Sequence, residues 1–96
     1  MRGHWKESFA DYFVLLNEKN RQIATVSKYG WGISDTLWEL EFLSDRVLFH
    51  AKNSDVAKWK ATNEIINMCN NEIGKFSEIR DHLPSVHELA EKAGVV

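Results

Sequence analysis

Apolar residues recur along this chain at two competing spacings. Between His4 and Lys28, Trp5, Phe9, Tyr12, Phe13, Leu16 and Ile23 fall at three- and four-residue steps, which predicts an amphipathic helix. Asn20 and Ser27 interrupt its stripe, and Gly30 supplies a residue that enters the left-handed conformation of a C-cap. Ser34 or Asp35 then stands where it can cap a second helix reaching to Lys52. At helical spacing Leu37, Leu40, Val47, Leu48 and Ala51 share one face of that helix, and Trp38, Phe42 and Phe49 share the opposite one. A helix with two apolar stripes needs cover on both sides. That requirement points to a homodimer whose interface is Trp38, Phe42 and Phe49.

The same stretch also reads as strand. Trp38-Glu-Leu-Glu-Phe42 alternates strictly, and Arg46 to His50 alternates in part, so a hairpin turning at Ser44-Asp45 with Ile23–Ser27 as a third strand is the alternative. Leu and Glu favour helix over β-branched strand formers, and Ser-Asp lacks the glycine of tight hairpins. The helical reading is therefore preferred here.

Residues 56 to 83 carry a longer helical pattern. Thr62, Ile65, Ile66, Cys69, Ile73, Phe76, Ile79 and Leu83 line one face, and Pro84 ends it. At ~1.5 Å per residue such a helix is about 42 Å long, which calls for a bend near Gly74 or a second copy to cover its end. Ser85-Val-His-Glu88 has the spacing of a capping box, opening a short helix from Val86 to Ala93 that closes at Gly94. The expected fold is all-α: one domain over residues 1–96, a bundle of three long helices plus a short C-terminal one. An α+β fold with a small antiparallel sheet from residues 23–51 is the alternative.

Composition narrows the function only a little. A formal charge of −2 disfavours a general phosphate-backbone binder. A single cysteine, Cys69, forms no intrachain disulfide, which fits a reducing cytoplasm, and no apolar run approaches the ~18–20 residues of a membrane span. Met1–Lys6 followed by Asp11 makes a poor signal peptide.

Candidate chemistry is sparse. His4, Glu7, Asp11 and Glu18 would lie along one side of the first helix, where a solvated face explains them better than a metal site; His-Glu-x-x-His and paired Glu-x-x-His motifs are absent. Glu78-x-x-Asp81 and Glu88-x-x-Glu91 resemble the acidic pairs with which all-helical nucleotide pyrophosphohydrolases of the MazG type hold Mg²⁺. Their order is reversed here and Pro84 separates them, so no residue is carried over. His50, Lys52, Lys58 and Lys60 around Trp59 form a basic corner of the kind that grips single-stranded nucleic acid, although Asp55 beside them favours a solvated turn. Ser85 to Val95 has the look of the first helix of a helix-turn-helix motif, with no recognition helix after it. Trp31, between two glycines, is the tryptophan best placed for an exposed loop contact.

The expected function is a small cytoplasmic interaction or regulatory protein, non-enzymatic, acting through a helical surface as a homodimer, with no cofactor and no metal. A ligand-binding or metal-dependent nucleotide-hydrolysing helical enzyme, its pocket between helices or subunits, is the runner-up. An RNA or single-strand binder is third.

Overall fold

Within residues 4–28 and 37–50 the alternating period wins over the helical one. The computed structural model describes residues 3–29, 36–71 and 83–95. It contains β1 (His4–Phe9), β2 (Tyr12–Leu16), β3 (Gln22–Lys28), β4 (Leu37–Phe42), β5 (Asp45–His50), α1 (Ser54–Asn71) and α2 (Val86–Ala93). The strands form one antiparallel sheet in the order β1-β2-β3-β4-β5. The all-α bundle is thus corrected to a five-stranded meander followed by helices. The hairpin alternative turns the chain at Ser44-Asp45, whereas the turn is Leu43-Ser44 with Asp45 already in β5, and the sheet adds β1 and β2.

Local chemistry explains why the first segment breaks into strands. A helix from His4 to Lys28 would need continuous right-handed dihedrals, but Asp11 (φ 57°) and Asn20 (φ 61°) sit in the left-handed region that Asp and Asn tolerate best. Asn17 accepts on Oδ1 from the backbone N–H groups of Lys19 and Arg21, each at 2.9 Å, and so folds the β2–β3 turn around its own side chain. The helical stripe therefore scatters over both sides of the sheet. Trp5 and Phe13 join the inner, core-facing side. Phe9 and Tyr12 close the first hairpin with rings stacked at 4.6 Å.

Register assembles the inner face in cross-strand rows. Trp5, Leu15, Ala24 and Phe42 make one row, Phe13, Val26, Leu40 and Val47 a second, and Trp38 pairs with Phe49 beside them. Side chains opposite one another in such rows are the unit of sheet stabilisation. This outweighs the helical preference of Leu and Glu, because strand preference is a matter of cross-strand packing and burial. Trp38 and Phe42, expected on an outward dimer face, are 2% and 1% exposed inside the chain's own core.

α1 closes that core. Asn53 caps it, its Oδ1 accepting from Val56 N–H at 3.0 Å. Ala57, Ala61, Ile65 and Cys69 follow at four-residue steps and are all buried, so a row of mostly small side chains lets the helix lie close to the sheet. Trp5 Nε1 donates to Thr62 Oγ1 at 2.9 Å and ties β1 to α1, while Trp38 Nε1 donates to the Ala51 carbonyl at 3.1 Å just past the end of β5. The described part of the third helical pattern is the 18 residues of α1, about 27 Å long. Ile73, Gly74, Phe76, Glu78, Ile79 and Asp81 lie outside the described residues.

α2 matches its expected bounds. Ser85 Oγ accepts from Glu88 N–H at 3.4 Å, and Gly94 (φ 74°) ends the helix with its N–H directed to the last carbonyls. It packs on α1, with Ala90 and Ala93 buried.

Two substitutions test this arrangement. Phe42→Ala removes a fully buried aromatic ring and lowers the unfolding free energy by about 3–5 kcal/mol in a urea titration; a loss below about 1 kcal/mol would place Phe42 outside the core. Leu43, at φ 58° and exposed, occupies the first central position of the two-residue β4–β5 turn, where glycine is preferred. Leu43→Gly relieves that strain and raises stability by about 0.5–1 kcal/mol, the net of a left-handed penalty and the entropy of glycine.

Candidate interaction groove

β5 is an edge strand, and its sequence leaves that edge apolar on both faces. Val47 and Phe49 point to the inner side, half-buried against the core, while Leu48 stands 51% exposed on the outer side. Its polar residues are confined to the ends, with Asp45 and Arg46 at one and His50 at the other. The opposite edge, β1, differs. It carries Lys6 and Glu7, and its register shifts between Glu7 and Phe9. Bulges and charges are the usual protection of a sheet edge against pairing with another chain. β5 pairs with β4 in unbroken register and has neither in its centre.

The phase of the ladder shows which backbone groups are open. The two-residue turn closes a hydrogen-bonded pair at Phe42–Asp45, and hydrogen-bonded pairs alternate with open ones from there. Ala51 N–H donating to the Thr36 carbonyl at 2.8 Å continues the same phase. Val47 and Phe49 consequently bond to β4, while Arg46, Leu48 and His50 aim N–H and C=O away from the sheet. Among the described residues no strand lies on that side.

Beside this edge runs a groove of about 310 Å³, floored by Val47 and Phe49 and walled by Trp59, Lys60, Asn63 and Glu64 of α1. A second hollow of about 410 Å³ continues it past Trp59 and Lys60 towards His50, Ala51, Lys52 and Val56. The wall is braced rather than loose. Lys60 Nζ donates to the outward carbonyl of His50 at 2.7 Å, joining α1 to the end of β5, and Asn63 Nδ2 donates to the Trp59 carbonyl at 3.2 Å. Thr36 Oγ1 and His50 Nδ1 lie 3.0 Å apart, and Arg46 reaches Glu41 at 3.7 Å on the outer face.

The other expected sites fare as follows. Of the proposed dimer stripe, only Phe49 reaches the surface, as part of this groove. Trp31 lies outside the described residues. The basic corner is partly engaged: Lys58 pairs with Asp55 at 3.4 Å and sits 4.8 Å above the Phe13 ring, and Lys60 holds His50. His4, Glu7, Asp11 and Glu18 are spread over β1 and two turns instead of one helix face. Among the described residues no group of three or more His, Cys, Asp or Glu is arranged to hold a metal ion. The likeness to all-helical pyrophosphohydrolases loses its basis with the sheet. A further hollow of about 390 Å³ between β1, α1 and α2 is lined by His4, Trp5, Lys58, Ser85, Glu88 and Lys92, of mixed charge. No described helix is long and apolar enough to cross a membrane. Cys69 is buried in α1 and in no disulfide.

Reading the strand as a helix hid the groove. Val47-Leu48-Phe49 is three consecutive apolar residues between polar ones, and in a strand that run must show apolar side chains on both faces. Comparison with protein-family models, curated proteins and solved structures finds no match for the chain.

Proposed function

We propose that this protein is a small, non-enzymatic interaction module that binds another polypeptide in extended form along β5. The observation that carries the reading is the coincidence of an unprotected strand edge with an apolar groove beside it. Main-chain bonding to Arg46, Leu48 and His50 supplies affinity in such strand addition, and pockets beside the strand select alternate side chains. Val47, Phe49 and Trp59 supply an apolar pocket wall here. The binding surface is a strand edge flanked by a helix, which replaces the purely helical surface expected from the sequence. The lone, buried thiol of Cys69 favours a cytoplasmic setting, where thiols stay reduced.

Selection of short random peptides displayed on phage, against the full chain at submicromolar concentration, tests the reading. Enriched peptides are expected to alternate apolar and polar residues and to shift the NMR signals of residues 46–50 and 59–64. Leu48→Pro removes the outward N–H at the middle of the strand without touching its bonds to β4, and is expected to abolish capture while the circular dichroism spectrum is retained. Peptides that bind this variant equally well, or that shift signals elsewhere, would overturn the proposal.

A further inference from the structure

We infer that the strand received by β5 is β5 of a second copy, paired antiparallel about a two-fold axis at Leu48. The inference rests on the preceding reading of β5 as a pairing edge and names its partner. Three features of the edge are complementary to themselves.

The first is hydrogen bonding. The outward backbone groups belong to Arg46, Leu48 and His50, which are spaced symmetrically about Leu48. Rotation about that residue sets Leu48 against Leu48 of the partner subunit, and Arg46 against His50 of the partner subunit. The His50 carbonyl already accepts from Lys60, and a carbonyl has a second lone pair for the new bond.

The second is apolar packing. The same register sets Val47 against Phe49 of the partner subunit on the inner face, in positions where antiparallel side chains touch. The two grooves then face each other across the axis, so Trp59 of each copy helps to wall one continuous apolar layer. On the outer face the two exposed Leu48 side chains meet.

The third is charge. Lys60 lies at the His50 end of the groove, held to that carbonyl, and Glu64 lies one helical turn further along α1. Antiparallel pairing brings the Lys60 end of one copy beside the Glu64 end of the other, twice. Parallel pairing would bring like ends together. Such rim charges select orientation and partner. Joining β5 to β1 of another copy would leave an open-ended chain of molecules, whereas β5 with β5 closes as a dimer, and the bulge in β1 disfavours the former.

Sedimentation equilibrium of the full chain from micromolar to several hundred micromolar, with hydrogen exchange of the β5 amides, tests the dimer. The wild type is expected to be dimeric, with the Leu48 amide protected as concentration rises. Leu48→Lys puts two like charges on the axis at an exposed position, and is expected to give a folded monomer, with the dissociation constant raised by about a hundredfold or more. Lys60→Glu and Glu64→Lys are each expected to weaken the dimer by about tenfold, and mixing the two variants to restore association as a heterodimer, a rescue in trans that an effect confined to either helix would not show. A wild type that stays monomeric at the highest concentration would overturn the inference. So would a dimer indifferent to Leu48→Lys and to the charge exchange. A monomer whose β5 still captures displayed peptides would reject the second copy alone, and a monomer that captures none would reject both readings.

Discussion

The contact between α1 and the central strands is the interaction on which the rest depends. Ala57, Ala61 and Ile65 are fully buried in the same core as Val26, Leu40, Trp38 and Phe42. Small side chains at two of those helix positions let the helix backbone approach the sheet. Large ones from β4 fill the space between. Once that layer forms, one face of the sheet is dry, and every strand must present its apolar set to that side. A one-residue slip would turn Trp38, Leu40 and Phe42 outwards together, which is why register is strongly specified.

The same layer accounts for the edge. α1 packs over β3 and β4, where the inner face is buried, and leaves the margin at β5 less covered. Val47 and Phe49 are left half-buried, with Trp59 standing over them. The groove is thus the place where a helix of one width fails to cover a sheet of five strands. A meander with α1 over β3 and β4 leaves β1 and β5 as its margins. β1 is tied down by Trp5 to Thr62 and blunted by charge and a bulge, while Lys60 holds β5 to α1 at its His50 end. Binding capacity on this reading follows from asymmetric protection of two edges.

Some of this was legible in the sequence. The cap at Ser85, the stop at Gly94, the burial of Cys69 and the helical pattern from Val56 to Asn71 follow from spacing and end chemistry, which act over a few residues. The hairpin alternative at residues 38–50 was legible in the same sense, since Trp38, Leu40 and Phe42 alternate with Glu39 and Glu41. What misled was that Trp38, Phe42 and Phe49 also satisfy the helical period. Short apolar runs fit both periods, and residue preferences then tipped the reading towards helix.

The amino-acid sequence by itself determined which segments carry apolar faces and where α2 begins and ends, because capping and steric limits are local. Only the tertiary structure decided that β1 to β5 are strands, that Trp38 and Phe42 belong to the interior, and that Phe49 belongs to a groove. Those outcomes depend on pairs distant in the chain, such as Ala24 with Phe42 and Trp5 with Thr62. The free energy of such pairs comes from burying both partners at once, and neither partner's neighbours in sequence carry that information.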